Sequence, residues 1–226
     1  AELKDRYGVD TATNTEAARE ADVVVLVVKP QDIFTVVDEI AGDLKPSALV
    51  VSLAAGVTTA SLEALLPDGI PVVRVMPNTP ALVDEGMSAV SPGAHCTPEH
   101  VALAVRLMAC VGKVVEVPEK MQDAVTAISG SGPAYIFYTV EAMIEAGVGL
   151  GLPRRLATEL TLQTVYGAAT MLRETGEHPV VLRENVTSPA GTTAAALRVL
   201  EDHKVRAAFL SALEAARNRS VELAEG

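Results

Sequence analysis

Tryptophan is missing from this sequence, and aromatic residues make up only 3% of its 226 positions. Cysteine is almost as scarce, since only Cys96 and Cys110 are present. Two cysteines are too few for a disulfide framework, and His95 beside Cys96 lacks the spaced partners that a zinc site needs. We therefore predict no metal site and two unpaired thiols in a reducing compartment.

Long apolar runs and excess positive charge are also lacking. No run approaches the ~20 apolar residues of a membrane span, and the first residues, 1–6, are unlike a signal peptide. Lysine and arginine number 18 against 29 acidic residues, a net charge of -11. Nucleic acid and anionic lipid are bound through clustered Lys and Arg, so we exclude both as partners. We expect a cytoplasmic protein that acts on a small molecule.

The first half of the chain repeats a short β-branched run followed by a turn and a helical pattern. The runs are residues 23–28, 49–52, 72–75 and 114–117. Their apolarity is continuous rather than alternating, which is typical of parallel strands that are covered by helices on both faces. The segments between them predict helices at 31–43, 58–66 and 98–111.

After about Pro118 no further strand run occurs, and Ala, Leu, Glu and Arg recur at helical spacing. The pattern predicts helices at 119–149, 153–175, 191–201 and 204–224. We therefore predict an α/β protein with a mostly parallel sheet domain, residues 1–118, followed by an all-helical domain, residues 119–226.

A sheet that binds a dinucleotide carries a glycine-rich turn after its first strand, where helix N–H groups hold the pyrophosphate. No G-x-G-x-x-G opens this chain, and the glycines at 130–132 and 147–151 lie in helical surroundings. In a sheet of order 3-2-1-4-5-6, loss of the first strand would split the third strand from the fourth. We expect that the first segment of such a domain is missing from this sequence.

Small and polar residues follow three of the strand runs, at the edge where parallel sheets bind ligands. They are Val28-Lys29-Pro30-Gln31, Ser52-Leu53-Ala54-Ala55-Gly56 and Met76-Pro77-Asn78-Thr79-Pro80. Small residues let a dinucleotide approach the main chain, and Lys29 can meet phosphate or ribose oxygens. For Lys29 alone, a solvated surface lysine is an equally good interpretation.

Residues 129–135, Ser-Gly-Ser-Gly-Pro-Ala-Tyr, are unusual for a helix. Each glycine costs about 1 kcal/mol relative to alanine, and the proline interrupts the hydrogen-bond ladder. Either another group approaches closely here, or the helix is kinked to pack against a second one.

Residues 185–193, Asn-Val-Thr-Ser-Pro-Ala-Gly-Thr-Thr, lead directly into a helical pattern. A loop of this composition at a helix N-terminus offers free N–H groups to a carboxylate. Ordinary capping by Ser188 or Thr192 is the alternative, and in isolation the better one.

General bases are scarce in the second half. Between Met121 and His203 there is no lysine, and the only histidines are His178 and His203 itself. Oxidation of an alcohol needs a base for the hydroxyl proton, whereas an iminium accepts hydride directly. The composition therefore favours reduction of a C=N bond.

Taken together, the three strand-end segments, residues 129–135 and the 187–193 loop closely resemble pyrroline-5-carboxylate reductases from end to end of the chain. The resemblance implies a Rossmann-like domain followed by a dimerisation domain. It also implies an oxidoreductase that uses NADP, with NAD as the alternative, to make L-proline in the last step of its biosynthesis.

Carried over by motif, the resemblance assigns site residues to this sequence. Thr193 would lie at the ring nitrogen as the catalytic hydroxyl, and substrate would be bound by Glu119, Ala190, Gly191, Thr192 and Thr193. The cofactor would be bound by Asn14, Val28, Lys29, Pro30, Leu53, Ala54, Ala55 and Asn185. These reductases commonly have Gly-Gly at 190–191, so Ala190 places a methyl group where the main chain can require a positive φ.

The resemblance also implies a homodimer through the helical domain, and such dimers often assemble further into decamers. The apolar side chains of residues 156–172 exceed what a small helical domain can hide, although a monomer with a large core is an alternative. Three other functions are alternatives. A β-hydroxyacid dehydrogenase would need a catalytic lysine on its long helix, and none is present. A protein that only senses a dinucleotide would use the 188–193 loop as a helix cap, and an inactive scaffold would have no catalytic role for any of these residues.

Overall fold

The structure is a computed structural model that describes residues 2–225. Its internal contacts divide the chain into two units. The sheet unit comprises the chain up to Ser131 together with the residues from Ala215 onward, and the helical unit comprises Gly132–Glu214.

The sheet unit is built on one five-stranded sheet with the strand order β1-β2-β3-β4-β5. Its strands are β1 Val23–Leu26, β2 Leu49–Ser52, β3 Val72–Met76, β4 Gly86–Pro92 and β5 Gly112–Glu116. All pairs are parallel except β3 with β4. The mostly parallel Rossmann-like sheet is thus confirmed. Each strand pairs with the next one in the chain, so the sheet formed by the described residues has no gap.

Strand β4 was not predicted. Its sequence, Gly-Met-Ser-Ala-Val-Ser-Pro, lacks the β-branched run that revealed the other four strands. It forms because β3 and β5 flank it on both sides. Gly86 pairs with Gly112, and a Cβ on Gly86 would lie 2.8 Å from the carbonyl oxygen of Val111. Two glycines are therefore what allows this end of the strand pair to close.

Helices cover both faces of the sheet. The helices of the sheet unit before the last strand are α1 Glu2–Tyr7, α2 Asn14–Glu20, α3 Pro30–Ile40, α4 Thr59–Glu63 and α5 Pro98–Ala109. The helices predicted at 31–43, 58–66 and 98–111 correspond to α3, α4 and α5, although α4 is shorter. Helices α1 and α2 were not predicted.

Alternate strand residues enter two separate cores. Val50 and Val72 pack with Ile33, Val37 and other residues of one cluster. The next residue along each strand, Val51 in β2 and Val73 in β3, packs on the opposite face with residues of α5. Each fully buried Val or Ile stabilises the fold by about 1.5–3 kcal/mol. The double-sided burial explains why the runs of β2 and β3 are apolar without interruption. At the two edge strands the expected double-sided burial is wrong, because Val25 of β1 is 46% exposed and Val115 of β5 is 42% exposed.

The predicted helix 119–149 is interrupted. It consists of a 3₁₀ turn Glu119–Met121, α6 Gln122–Val125, a π-helical turn Thr126–Gly130 and α7 Gly132–Gly149. The π turn closes through the Ser131 N–H, which donates to the Thr126 carbonyl at 2.8 Å. A Cβ on Gly130 would collide with Cε of Met76. Of the two predicted explanations for residues 129–135, close approach of another group is therefore present at Gly130.

The helical unit hides little of its own surface. Its further helices are α8 Arg154–Thr175, α9 Pro179–Asn185, α10 Thr192–Asp202 and the start of α11 Val205–Glu225. Helix α9 was not predicted. Among residues 132–214 only Ala157 and Thr161 are buried. Exposed apolar side chains on α8 include those of Leu156, Leu160, Leu162, Met171 and Leu172, as predicted.

No helix between residues 2 and 225 has both the length and the apolar character that crossing a membrane requires.

Candidate active site

Two of the predicted cofactor segments begin side by side. Leu26 at the end of β1 pairs in register with Ser52 at the end of β2, and the Leu53 N–H donates to the Leu26 carbonyl at 3.1 Å. Residues 28–30 and 53–55 therefore leave the sheet from adjacent carboxyl ends. This is the edge where ligands bind in open parallel sheets.

Lys29 stands at the start of α3. It is the N-cap residue, its side chain is exposed, and Pro30 follows as the first helical residue. No side chain caps this end of α3 within the described residues. The first turn of α3 thus keeps its positive dipole end available to an oxygen ligand, with the Lys29 ammonium beside it.

The β2–α4 loop, residues 53–58, brings its main chain close to the same edge. Ala54 is 3% exposed, and Gly56 has a φ of +75°, in the left-handed region that glycine adopts without strain. Thr58 ends the loop by accepting the Ser61 N–H at 3.1 Å and so caps α4. Small side chains and a fixed turn make this loop suited to a flat ligand that lies against the main chain.

Glu119 is held by the residue that follows this loop. Its Oε1 accepts the Thr59 N–H at 2.7 Å, and its Oε2 accepts the Thr59 hydroxyl at 2.8 Å. Nη1 of Arg74 lies 3.5 Å from Oε1. The carboxylate of Glu119, with 27% of its side chain exposed, therefore connects α4 to β3.

Asn78 fixes the third strand end. Its Nδ2 donates to the Ser129 carbonyl at 3.0 Å, and its Oδ1 accepts the Met87 N–H at 2.8 Å. The sequence predicts residues 76–80 as a segment at the ligand edge of the sheet, but no individual role for Asn78 follows from it. Its amide ties the end of β3 to β4 and to the π turn, which fixes the position of this edge.

Arg74 and Thr59 were not identified from the sequence. The sequence did contain a signal for Arg74, because it is a charged residue inside the apolar run 72–75. A buried arginine needs a partner, so this position could have been marked as one end of an ion pair. For Thr59 no comparable signal exists, because its bonds to Glu119 span 60 positions of the chain.

Asn14 opens helix α2 beside a capping box. Thr13 accepts the Glu16 N–H, and the Glu16 carboxylate accepts the Thr13 N–H at 2.9 Å. These bonds from Thr13 hold the pKa of Glu16 below its usual range. The Asn14 side chain donates to Glu39 at 2.9 Å, so it is exposed but already has a partner on α3.

In the helical unit, the α9–α10 loop, residues 186–191, ends at an N-terminus without a side-chain cap. Gly191 is the N-cap of α10, and neither Ser188 nor Thr192 bonds to the first turn as a cap. The first N–H groups of an α-helix have no partner within the helix. The capping alternative is therefore not observed, and the amides at 192 and 193 remain available to an anion.

The main chain of this loop has the geometry that the Gly-Gly comparison indicated. Ala190 has a φ of +57°, in the left-handed region. The expectation of a positive φ at this position, where related reductases commonly have glycine, is confirmed. A Cβ on Gly191 would collide with Oγ of Ser188. A side chain at 191 would therefore require the Ser188 hydroxyl to move, while Ala190 accepts backbone strain.

The remaining predicted residues divide between the units. Asn185 is the last residue of α9, and it belongs with residues 190–193 to the helical unit. Glu119 and the other predicted cofactor residues belong to the sheet unit. Residues 2–225 contain no cluster of three His, Cys, Asp or Glu side chains that could hold a metal ion. Both cysteines are free thiols, and burial raises the pKa of Cys96.

A Rossmann-like sheet with a ligand edge, followed by a helical unit with an open helix N-terminus, defines a two-domain oxidoreductase of the dinucleotide-dependent class. Comparison with known proteins agrees. Residues 1–56 match the family described as "NADP oxidoreductase coenzyme F420-dependent", and residues 119–223 match "pyrroline-5-carboxylate reductase dimerisation".

Full-length relatives narrow the class. The chain is 52% identical to the pyrroline-5-carboxylate reductase of Corynebacterium melassecola over 98% of its own length and 84% of that protein. The structure of a pyrroline-5-carboxylate reductase from Coxiella burnetii superposes with a TM-score of 0.90 at 44% identity, over 98% of this chain and 83% of that one. The structure of a Plasmodium falciparum pyrroline carboxylate reductase with NADP bound superposes with a TM-score of 0.90 at 34% identity, over 95% of this chain and 81% of that one. The chain belongs to the pyrroline-5-carboxylate reductase family.

Proposed function

We propose that this protein reduces 1-pyrroline-5-carboxylate to L-proline with NADPH, the last step of proline biosynthesis. The observation that carries the proposal is the N-terminus of α10, which has no side-chain cap and follows a left-handed Ala190. Free amides at a positive dipole end bind a carboxylate, and the substrate carries one.

The cofactor in this proposal is NADP, with NAD as the alternative, because the Plasmodium relative is a structure with NADP bound. The reduced nicotinamide supplies hydride to C5 of the substrate ring. Residues at the ends of β1 and β2 suit such a group, since they leave the sheet at adjacent carboxyl ends and no side chain among the described residues caps the start of α3. On this chain the proposed cofactor residues are Asn14, Val28, Lys29, Pro30, Leu53, Ala54, Ala55 and Asn185.

The substrate is held mainly by the main chain. The amides of residues 192 and 193 bind its carboxylate, and the Thr193 hydroxyl lies at the ring nitrogen. Ala190, Gly191 and Glu119 are the other proposed substrate residues. The substrate arrives as an iminium, so the nitrogen already carries its proton when hydride forms the new C–H bond. No side chain has to remove a proton, and catalysis depends on positioning and electrostatics.

Scarcity of general bases supports this choice over oxidation of an alcohol. The helices that follow the sheet contain no lysine between residues 121 and 203. A β-hydroxyacid dehydrogenase would require one in that region. Reduction of an iminium has no such requirement.

We further propose a nucleotide-binding domain of residues 1–118 and a substrate-binding, dimerising domain of residues 119–226. Near-absence of buried residues in 132–214 supports a homodimer through the helical domain. An apolar groove of about 450 Å³ between α7 and α11, lined by Tyr138 and Phe209 among others, is part of the surface to be covered. Decameric assembly of such dimers is the finer proposal.

A cytoplasmic location is also proposed. Its support is the pair of free cysteines, Cys96 and Cys110, which suit a reducing compartment.

The test is to follow NADPH oxidation by the protein as its gene encodes it, including any residues that precede Ala1, with and without pyrroline-5-carboxylate. We expect turnover that forms proline, and a decrease of kcat of about tenfold in Thr193→Val. Thr175→Val, at the end of α8, is the matched control and should retain activity. Absence of substrate-dependent turnover by the folded wild-type protein would reject the proposal.

A further inference from the structure

Arg74 is a charged residue in the centre of the sheet. It lies in β3 between Val73 and Val75, with 3% of its surface exposed. Burial of an unpaired charge costs several kcal/mol, so this position requires an anionic partner. Its Nη1 lies 3.5 Å from Oε1 of Glu119, and its Nη2 is buried with no hydrogen-bond partner among residues 2–225. The pairing of Arg74 thus depends on Glu119.

Glu119 transmits this pairing to the first residue of α4. Both carboxylate oxygens accept hydrogen bonds from Thr59, one from the main chain and one from the hydroxyl. Bonds to an ionised acceptor at a helix N-terminus are stronger than neutral ones. Arg74, Glu119 and Thr59 therefore form one continuous charge-assisted cluster, the Arg74 cluster.

The Arg74 cluster lies at the far end of the β2–α4 loop, and the main chain of β3 lies at its near end. At the far end, Thr59 directly follows residue 58 of the loop. At the near end, Ser52 pairs in register with Arg74, and its hydroxyl accepts the Ala54 N–H at 3.4 Å. The position of loop residues 53–58 is consequently set from β3 and from Glu119 together.

We propose that Arg74 is a positioning residue for the cofactor, which acts through Glu119 and Thr59 to hold the β2–α4 loop in the conformation that accepts NADPH. The inference rests on the function proposed above and adds to it a residue that contacts neither substrate nor cofactor. A purely structural ion pair would stabilise the fold without any selective effect on the loop or on the cofactor.

The first test measures the loop without turnover. Hydrogen exchange of the amides of residues 53–59 is compared in wild type, Arg74→Met and Arg74→Lys. We expect exchange at least about tenfold faster in Arg74→Met, with the amides of β2 and β3 unchanged. Arg74→Lys keeps the charge but loses the planar fork, so an intermediate rate is expected. Equal protection of the loop in all three proteins would overturn the proposal.

The second test separates cofactor from substrate. In Arg74→Met we expect the KM for NADPH to rise about tenfold, with kcat changed less than about twofold, a smaller rise in the KM for pyrroline-5-carboxylate through Glu119, and partial rescue by lysine. Arg19→Lys and Asp43→Asn alter an exposed ion pair of the same unit and are the matched controls. Equal changes in both KM values would also overturn the proposal.

Two complications are covered by the design. If Arg74→Met does not fold, Arg74→Lys alone decides, because a faster loop exchange and a higher KM for NADPH are still expected of it. If wild type binds NADPH without reducing pyrroline-5-carboxylate, the proposed function fails. In that case loop exchange and NADPH affinity of the variants still support or overturn the role of Arg74.

Discussion

Single residues at two loops determine where main-chain groups point. A side chain at Gly191 would displace the hydroxyl of Ser188, whereas Ala190 occupies a left-handed conformation that costs an L-residue about 1–2 kcal/mol. The site therefore stores strain at the residue directly before the amides that bind the substrate carboxylate in our proposal.

Ala190→Gly should raise the free energy of unfolding. The relief of left-handed strain exceeds the added flexibility of the unfolded chain, which leaves a net gain of about 0.5–1 kcal/mol. Urea unfolding measures this change. The control is Ala195→Gly within α10, which should lower the free energy of unfolding by about 1 kcal/mol. A loss of stability in Ala190→Gly equal to that of the control would contradict the strain at 190.

Elements with a strong local signal could be predicted from the sequence, and elements that depend on neighbours could not. The valine-rich runs identified β1, β2, β3 and β5, and in β2 and β3 the continuous apolar residues serve burial on both faces. Strand β4 has no such run and exists because β3 and β5 pair with it. The glycine in the π turn likewise has a tertiary reason, since Met76 approaches Gly130 from a distant part of the chain.

The same distinction applies to the candidate site. Its segments at the strand ends and at residues 185–193 follow from topology and composition, so their location was predictable. Contacts of Glu119 with Thr59 and Arg74 join residues 60 and 45 positions apart. Contacts at that separation are set by tertiary packing, which leaves no local pattern to read.

Gly112→Ala should disrupt the pairing of β4 with β5. Gly112 has a φ of +150°, and a Cβ there would collide with the main chain of Gly86. We expect the free energy of unfolding to fall by about 3 kcal/mol, since backbone cannot move aside as a side chain can. Gly42→Ala, where a Cβ meets nothing within 4 Å, should change stability by less than about 0.5 kcal/mol. Equal stabilities of the two variants would show that the strands do not approach as described.

At the scale of the whole molecule, the two units differ in how they bury apolar surface. The sheet unit has two cores, whereas residues 132–214 contain only two buried residues and many exposed apolar side chains. Exposed apolar surface of this extent marks an interaction surface. The dimerisation family that matches residues 119–223 is consistent with this difference.

Leu210→Asp should weaken the proposed dimer. Leu210 is 71% exposed on α11. A buried charge at an interface costs 2 kcal/mol or more, which corresponds to a dimer dissociation constant about 30-fold higher. Light scattering over a concentration series measures this constant. The matched control is Leu82→Asp, an 89% exposed leucine of the sheet unit, which should leave the constant unchanged. Identical constants for wild type and Leu210→Asp would place the interface elsewhere.

Recognition of a carboxylate by the start of α10 is tested most directly by comparing 1-pyrroline-5-carboxylate with 1-pyrroline, which has the same ring without the acid group. We predict that wild type favours the acid about 100-fold or more in kcat/KM, and that Gly191→Ala, which displaces the loop, loses most of this preference while its affinity for NADPH is unchanged. If wild type reduces both rings equally well, or if Gly191→Ala keeps the full preference, the amides at 192 and 193 do not bind the carboxylate.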